Sequence, residues 1–406
     1  MYARKSYQDQ LARFARTPVI KVLTGLRRVG KSTLLRLFRD NLIAQGVAPE
    51  RIVSIDLEGF EFAGLRTGSE LHAYVQARLP DPEPGAWSYL FIDEVQEVAQ
   101  WEKAVNAFLN RGGIDIVITG SNSHLLSSEL ATLLTGRYVE IPVYPLTFAE
   151  FVEFRRASGD DTPTDTLFEN YLRQGGMPGL FHVDADEELH RQLLGSLVDS
   201  VLLKDIAARF QVRDIDLLRR ILLFLADNSG QTFSARRVAD FLKNERRSAG
   251  IETIYNYVSY ILSAFLAFRV PRYDLKGKRF LEVSEKYFFA DLGLRQALVG
   301  HRPADLAPAL ELAVFLELKR RGYAVSVGKL QDSEVDFTAE RGGKRLYLQV
   351  CYLLTDESVV RREFGPLAAI RDNYPKLVLS MDRLAGGDQE GIFWQYLPDF
   401  LLQADS

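Results

Sequence analysis

A glycine-rich segment near the start of the chain has the residue types and spacing that hold the phosphates of a nucleotide. Residues 25–32 satisfy the pattern GxxxxGK[ST], and they lie between a β-branched run, 19–24, and an amphipathic run that begins at Ser32. The glycines let backbone amides turn toward phosphate oxygens, Lys31 reaches the β- and γ-phosphates, and the Ser32 hydroxyl ligates Mg²⁺. The segment therefore predicts a site for ATP and Mg²⁺. The predicted nucleotide contacts are Gly25, Leu26, Arg27, Arg28, Val29, Gly30, Lys31, Ser32 and Thr33.

Two adjacent carboxylates, Asp93 and Glu94, end an apolar run at residues 89–92. In a parallel sheet, the carboxyl ends of the strands form the edge at which ligands bind. We therefore expect Asp93 to hold Mg²⁺ through water and Glu94 to polarise the attacking water. One strand lies between the glycine-rich segment and the carboxylate pair along the chain. We expect strand 89–92 to lie directly beside strand 19–24, which leads into the glycine-rich segment, or P-loop. The alternative is a strand that ends in a solvated acidic turn.

Two polar residues, Ser121 and Asn122, follow the strand-like run 114–119. Either side chain could orient the water and respond to hydrolysis, because this strand is expected to end at the same edge of the sheet. Both residue types also cap helices, and residues 123–134 have a helical pattern. A capping role is therefore the alternative.

Arg137 directly precedes the fifth strand-like run, residues 138–143. An arginine at this place can neutralise transition-state charge on the ATP of a neighbouring subunit. That role requires an oligomer. An ordinary surface arginine is the alternative.

The hydrophobic pattern changes along the chain and predicts four regions. Residues 1–145 alternate strand-like and helix-like runs, which indicates an α/β fold with the parallel sheet of a P-loop NTPase. Residues 146–212 have amphipathic periodicity and are expected to form a helical lid. Residues 213–300 contain three helix-like runs and a turn-rich ribbon around 276–278, which is the winged-helix order, and residues 301–406 return to α/β. The predicted strands are 19–24, 51–57, 89–92, 114–119, 138–143 and 377–380, with others near 325, 335 and 347, and the predicted helices are 32–44, 69–79, 101–110, 123–134, 215–228, 234–242, 252–265 and 310–321.

A local excess of basic residues marks the predicted winged-helix region. Residues 234–280 contain ten basic and four acidic residues, although the whole chain has a formal net charge of −4. Such a concentration suggests contacts with the phosphates of a nucleic acid, with helix 252–265 as the candidate for reading a groove. That helix is largely apolar and aromatic, however, which suits packing against protein. Nucleic acid and protein therefore remain alternative partners.

The chain resembles the AAA-type ATPases of bacteria and archaea that carry a C-terminal domain of unknown function. The likeness covers nearly the whole chain and rests on four motifs, at residues 25–32, 91–94, 119–122 and 134–137. Residues 171–178 further resemble the family's lid segment, in which a Gly-x-Pro turn lies against the adenine.

The resemblance of the lid segment implies two further contacts with the nucleotide. Pro178 would contact the adenine, and Arg173 would sense the phosphates. On local evidence alone, residues 176–178 are a helix-breaking turn.

The last hundred residues resemble the PD-(D/E)xK nuclease arrangement. Glu311 lies on a predicted helix, Asp336 on a strand and Gln349 on a later strand, but the final strand should read Glu-x-Lys and here carries Gln349 and Cys351. Glutamine is a weak metal ligand and cysteine cannot stabilise an attacking hydroxide as lysine does. If each lost group is worth about 2.7–4 kcal/mol, catalysis is disfavoured. We therefore expect a non-catalytic scaffold that binds nucleic acid or protein, with Cys351 as a small buried residue.

The composition excludes several classes of protein. The 406 residues are 47% apolar and 26% charged, and the single cysteine rules out an internal disulfide framework and a thiolate zinc cluster. No uninterrupted apolar run approaches the roughly 18 residues that span a bilayer, and residues 1–16 lack a signal-peptide core. We expect a cytoplasmic protein with no membrane partner.

The sequence supports three functional hypotheses. In the first, Mg²⁺-dependent ATP hydrolysis moves the lid and the winged-helix region and thereby changes the binding of a partner. In the second, nucleotide occupancy alone sets the arrangement of the domains, with little turnover. The third is a metal-dependent nuclease.

Overall fold

The computed structural model of the protein describes residues 3–123, 134, 136–183, 186–302, 305–383 and 386–403. The chain divides into two units, Met1–Val143 with Ser263–Phe265, and Tyr144–Leu262 with Leu266–Ser406. Most of the predicted helix 123–134, from residue 124 to residue 133, lies outside the described residues, and so does Thr135 of the motif at 134–137.

Five parallel strands form the sheet of the first unit, as predicted. They are β1 (Ile20–Thr24), β2 (Ile52–Asp56), β3 (Ser88–Asp93), β4 (Ile114–Gly120) and β5 (Tyr138–Pro142). Their order across the sheet is β2-β3-β4-β1-β5, and all neighbouring strands are parallel. β1 and β4 are buried along their whole length, as expected for the apolar central strands of a parallel sheet. The carboxyl ends of the strands therefore meet at one edge.

The position of β3 differs from the prediction. We expected strand 89–92 to lie directly beside the P-loop strand, but β4 lies between them, since Ile118 is paired with Val22 of β1 and with Ile92 of β3. The prediction was wrong because it took the strand order from the order of the motifs in the chain. Crossover connections allow a later strand to insert between earlier ones. The insertion places the last residues of β4, including Thr119, between the two motifs.

Four helices in the described part of the first unit accompany the sheet. They are α1 (Lys5–Arg13), α2 (Lys31–Ala44), α3 (Gly68–Gln76) and α4 (Trp101–Arg111). α2 buries Leu34, Phe38 and Leu42, whose four-residue spacing puts them on one face. α1 was not predicted, because its segment is largely polar and basic, but it is anchored by the buried side chains of Tyr7 and Leu11.

The described part of the second unit contains ten α-helices of six residues or more. They are α5 (Phe148–Ala157), α6 (Thr164–Gln174), α7 (Glu187–Ser200), α8 (Ile215–Asp227), α9 (Ala235–Asn244), α10 (Ile251–Ser263), α11 (Leu292–Val299), α12 (Leu306–Arg320), α13 (Glu357–Ala368) and α14 (Leu397–Leu402), with a π-helical segment at Val201–Ala207. The predicted helices in this part of the chain correspond to α8, α9, α10 and α12. Within the described residues, no helix has both the length and the apolar character needed to cross a membrane.

Eight strands of the second unit form one mixed sheet. They are β6 (Ala267–Asp274), β7 (Arg279–Phe289), β8 (Ala324–Leu330), β9 (Ser333–Arg341), β10 (Lys344–Val350), β11 (Lys376–Ser380), β12 (Gly386–Gln389) and β13 (Ile392–Tyr396), in the order β12-β13-β11-β10-β9-β8-β6-β7. β6 and β7 form the predicted ribbon, and β6 also pairs in parallel with β8. The sheet therefore crosses the boundary predicted at residue 300. The winged-helix and nuclease-like assignments stay predictions.

Aromatic packing fixes α12 against this sheet. The ring of Phe315 stacks on Phe288 of β7, with 4.6 Å between the ring centroids, and lies 6.3 Å from the ring of Phe337 of β9. Glu311 precedes Phe315 by four residues, which puts both side chains on the same face of α12. The packing of Phe315 therefore directs Glu311 toward the sheet.

Candidate nucleotide site and a second charged cluster

Two glycines determine the backbone path of the P-loop. Gly25 has φ +144°, and a Cβ at this position would lie 2.2 Å from the carbonyl oxygen of Val143. Gly30 has φ +100°, which residues with side chains rarely adopt, and, apart from its own neighbours in the chain, no heavy atom of the described residues lies within 4 Å of the place where its Cβ would be. The loop is thus closely packed at Gly25 and open at Gly30, where a phosphate has room.

The helix that follows the loop, α2, begins with backbone N–H groups that can bind an anion. The N–H of Leu34 donates to the carbonyl of Gly30 at 2.9 Å, so the amides of residues 31–33 precede the first intrahelical hydrogen bond. Such amides, together with the positive end of the helix dipole, attract phosphate groups. The loop and the start of α2 therefore fit the phosphates of ATP.

Lys31 links the P-loop to the end of β3. Its side chain is buried, and its Nζ donates to the carbonyl oxygens of Gly25 at 3.0 Å and Leu26 at 3.2 Å. The same Nζ lies 3.5 Å from Oε1 of Glu94. The structure thus brings together the predicted phosphate-binding lysine and the predicted catalytic carboxylate.

Glu94 is held as an ionised carboxylate. The side chain is buried, which by itself raises the pKa of Glu94, but the Lys31 ammonium and hydrogen bonds from Gln96 and Ser121 outweigh burial and bring the pKa below its ordinary value. Nε2 of Gln96 donates to Oε2 of Glu94 at 2.5 Å. Glu94 therefore has the charge and the fixed orientation that a base for water requires. Ser121, predicted to act near this edge, contacts Glu94, whereas Gln96 was not predicted.

Asp93 and Ser32 form the oxygen pair predicted for Mg²⁺. Burial raises the pKa of Asp93, and hydrogen bonds from Ser32 and Thr119 oppose that rise. Mg²⁺ takes oxygen ligands and is usually held by one or two protein groups together with substrate phosphates. Within the described residues no group of three or more His, Cys, Asp or Glu side chains could hold a metal ion alone. Ser32 and Asp93 beside a phosphate-binding loop fit this shared mode of coordination.

Thr119 connects the two carboxylates and was missed by the sequence argument. Its Oγ1 accepts a hydrogen bond from the N–H of Glu94 at 2.9 Å and donates one to Oδ1 of Asp93. The contact exists because β4 lies between β1 and β3. Glu94 has φ +52°, a left-handed conformation, and the bond from its N–H helps to hold the backbone there.

Thr119→Val removes this hydroxyl but keeps the shape of the side chain. We expect the free energy of unfolding to fall by about 1–3 kcal/mol, because the buried N–H of Glu94 loses its acceptor. Urea unfolding measures this change. Thr119→Ser keeps the hydroxyl and serves as the control. A loss in Thr119→Ser without a loss in Thr119→Val would show that the methyl group, rather than the hydroxyl, stabilises the site.

Asn122 and Arg137, the remaining predicted catalytic residues of the first unit, are less directly connected to the carboxylates. Asn122 is fully buried two residues after β4. Arg137 is half-buried, and its guanidinium donates to Oδ1 of Asn106 on α4 at 3.3 Å. Their predicted roles, as a water-orienting residue and as an arginine acting on a neighbouring subunit, stay predictions.

Comparison with known proteins identifies relatives over nearly the whole chain. Residues 17–152 match the AAA domain family, and residues 165–305 match a domain of unknown function, DUF8612. An uncharacterized protein of Haemophilus influenzae is 40% identical over 403 residues, which is 99% of both chains. The uncharacterized protein MJ1544 of Methanocaldococcus jannaschii is 31% identical over 372 residues, 87% of this chain and 79% of that one. The chain belongs to this family of AAA-domain proteins.

A solved structure shows the same fold in an ATPase. The Walker-type ATPase paby2304 of Pyrococcus abyssi matches with a TM-score of 0.53 and 18% identity, over 73% of this chain and 96% of that one. The AAA-domain family and this fold confirm the predicted AAA-type P-loop core, and the DUF8612 match confirms a downstream domain of unknown function. That match also runs across the boundary predicted at residue 212.

The predicted lid segment of this AAA-domain protein makes a tight turn within the second unit. A Cβ on Gly176 would lie 2.1 Å from the carbonyl oxygen of Leu146, and the N–H of Gly176 donates to the buried carboxylate of Asp291 at 2.7 Å. Glycine is therefore required by packing, whatever else the turn does. Pro178, two residues later, begins a short helical turn, and Arg173 is half exposed, 3.8 Å from Glu187. The predicted contacts of Pro178 and Arg173 with nucleotide stay predictions.

The three residues of the nuclease-like pattern are brought together in the second unit. Oε1 of Gln349 accepts a hydrogen bond from the N–H of Asp336 at 3.3 Å, and Oδ2 of Asp336 accepts one from the N–H of Val350 at 2.8 Å. Burial raises the pKa of Glu311 to about 7, and it raises that of Asp336, with the Glu311 carboxylate adding to the effect. Cys351 is buried, as predicted, and burial raises the pKa of its thiol to about 12.

A lysine that the sequence argument did not consider reaches this cluster. Nζ of Lys286, on β7, lies 2.6 Å from Oε1 of Glu334, and its charge also acts on Glu311 and Asp336. Although burial lowers the pKa of Lys286, these carboxylates raise it above its ordinary value. The cluster thus contains a cation. It comes from β7, whereas the nuclease pattern places a lysine two residues after Gln349, just after the end of β10.

Glu311→Gln should make the protein more stable at alkaline pH. The folded-state pKa of about 7 lies above the ordinary value of 4.5, so the contribution of Glu311 to stability is fully present below pH 4.5 and is lost as the pH rises through 7. We expect the variant to gain about 1–3 kcal/mol over the wild type between mildly acidic and mildly alkaline pH. Urea unfolding across pH measures this gain. Glu357→Gln, at an exposed glutamate of α13, is the control, and a gain that does not depend on pH would contradict the expectation.

Proposed function

We propose that the protein is a Mg²⁺-dependent ATPase. The observation that carries this proposal is the position of Glu94, an ionised carboxylate 3.5 Å from the Lys31 ammonium and next to the Asp93 carboxylate. One edge of the sheet therefore combines a lysine that can bind phosphate, a pair of oxygen ligands for Mg²⁺ and a carboxylate that can accept a proton from water. These are the parts that ATP hydrolysis requires.

Each of these residues has a proposed role. The amides of residues 30–33 and the Lys31 ammonium bind the β- and γ-phosphates. Ser32 and Asp93 hold Mg²⁺, which when bound neutralises charge on the phosphates. Glu94 orients the attacking water and takes its proton. Because Gln96 and Ser121 already fix the Glu94 carboxylate, little orientational entropy is lost when substrate binds.

Further roles extend the proposal beyond the core of the site. Asn122 orients the same water, and Arg137 acts on the ATP of a neighbouring subunit in an oligomer. Pro178 contacts the adenine and Arg173 senses the phosphates, so that nucleotide occupancy moves the helical lid and the region that follows it and changes the binding of a partner. The family resemblance of the segment at residues 171–178 supports this coupling.

The test is steady-state phosphate release by the whole chain with ATP and Mg²⁺, compared with release in the presence of EDTA. We expect release that depends on Mg²⁺. Negligible release together with tight binding of ATP would instead favour a nucleotide-regulated switch with little turnover. No binding of ATP would contradict both functions.

A metal-dependent nuclease is the second candidate function, and the position of Lys286 favours it. A lysine near Glu311 and Asp336 could replace the cation that the pattern lacks at Cys351, although Gln349 remains a poor metal ligand. This function predicts that DNA is cleaved with Mg²⁺ or Mn²⁺, and that Asp336→Ala abolishes cleavage without changing ATP hydrolysis. Intact DNA after incubation of the wild-type protein with either metal would rule it out.

A further inference from the structure

A large groove lies in the second unit between α9, α10 and the ribbon of β6 and β7. Its volume is about 1140 Å³, which exceeds the roughly 300–1,000 Å³ of pockets for small molecules. Among the residues that line it, the basic Arg236, Lys243 and Arg269 outnumber the acidic Asp240 and Glu285, and the aromatic Tyr255 lies beside them. A groove of this size has room for a segment of a polymer.

The walls of the groove carry basic side chains that form only weak ion pairs. Lys243 and Arg269 are well exposed, and each lies 3.7 Å from its nearest carboxylate, Asp240 and Glu285 respectively, which is too long for a hydrogen bond. Exposed pairs at this separation are weak. Within the described residues, Arg236 has no ion-pair partner. All three cations can therefore bind phosphate without breaking a strong contact.

The starts of two helices add to the positive potential. α9 begins at Ala235 and α10 begins at Ile251, and both residues line the groove. The positive ends of two helix dipoles therefore lie at its walls. An anionic occupant gains from both the dipoles and the basic side chains, whereas a neutral peptide gains from neither.

Aromatic residues give the groove a surface on which bases can stack. Tyr255 is 50% exposed, and its ring packs at 6.0 Å against Phe233, which packs at 4.8 Å against Tyr287. The two inner rings hold Tyr255 in place while leaving half of it accessible. A fixed, exposed aromatic ring beside basic side chains is typical of sites that bind single strands.

We propose that this groove binds single-stranded nucleic acid, with phosphates on Arg236, Lys243 and Arg269 and a base on Tyr255. Duplex DNA is a poorer fit, because a reading helix must protrude into the major groove. Here Tyr255 and Val258 of α10 line a concave surface instead. The proposal refines the predicted nucleic-acid contact and does not depend on ATP hydrolysis.

Fluorescence anisotropy tests the proposal, with labelled oligothymidine, oligouridine and a duplex of the same length, without ATP and across a salt series. We expect both single strands to bind more tightly than the duplex, with affinity falling as salt rises. Preference for oligouridine over oligothymidine would identify RNA as the ligand within the proposed class. A protein partner is the competing occupant, and it predicts no binding of any oligonucleotide even at low salt.

Variants place the binding in the groove. Tyr255→Ala should weaken binding by about 5- to 150-fold, as expected for loss of one stacked base. Tyr255→Phe, which keeps the ring, should bind like the wild type. Arg236→Ala should weaken binding and reduce the slope against log salt by about 0.7.

Two matched controls lie outside the groove lining. Tyr374→Ala and Arg361→Ala remove the same side chains at exposed positions and should change nothing. Circular dichroism checks that each variant is folded. Equal affinity for duplex and single strands, or wild-type affinity in both Tyr255→Ala and Arg236→Ala, would overturn the proposal.

Discussion

Glu94→Gln should reduce steady-state phosphate release by about 100- to 10,000-fold while ATP still binds. The amide is nearly isosteric with the carboxylate but cannot accept the proton of water. It also removes the negative charge that lies 3.5 Å from Lys31, so the ammonium is less strongly held and ATP affinity should stay equal or increase. Phosphate release and binding of a fluorescent ATP analogue together measure both effects.

Glu97→Gln is the matched control, because it makes the same chemical change three residues later at an exposed position. It should retain wild-type release. Since the pKa of Glu94 lies below its ordinary value of 4.5, protonation of Glu94 should not limit wild-type turnover until the pH falls beneath that value. Release that persists in Glu94→Gln would assign the proton transfer to another group, and loss of ATP binding in the same variant would show that Glu94 organises the loop instead.

The nucleotide site could be predicted wherever its chemistry depends on local sequence. The spacing of Gly25, Gly30 and Lys31 determines a backbone path within eight residues, and the run ending at Asp93 identifies a strand end. The role of Thr119 could not be predicted in this way, because it depends on β4 being inserted between β1 and β3. The crossover connections between strands set the strand order, and no short sequence motif indicates that order.

The second unit shows the same limit more strongly. Periodicity and turn residues predict the helices and the ribbon near residue 277, but they do not predict the pairing of β6 with β8, which joins strands on either side of residue 300. Lys286 was missed for a related reason. The pattern expects its cation two residues after Gln349, whereas the sheet supplies one from β7, more than sixty residues earlier in the chain. Only the long-range pairing of strands shows that the two positions are close.

Lys31→Ala should weaken the binding of ATP by about 10- to 150-fold, because hydrogen bonds to a charged group contribute about 1.5–3 kcal/mol. It should also lower phosphate release at acidic pH through a second effect. Burial raises the pKa of Glu94, and the Lys31 ammonium is the largest of the influences that lower it. Without that ammonium, the carboxylate is expected to be protonated over a wider range of pH and to be less available as a base.

The two effects of Lys31→Ala can be separated. Equilibrium binding of a fluorescent ATP analogue reports the lost phosphate contact, whereas the pH dependence of turnover at saturating ATP reports the pKa of Glu94. That pH profile should move toward higher pH in the variant, and Lys103→Ala, at an exposed lysine of α4, should change neither measurement. Affinity for ATP that is unchanged in Lys31→Ala would mean that the phosphates are not held by this loop. An unchanged pH profile with weakened binding would restrict Lys31 to contact with the nucleotide.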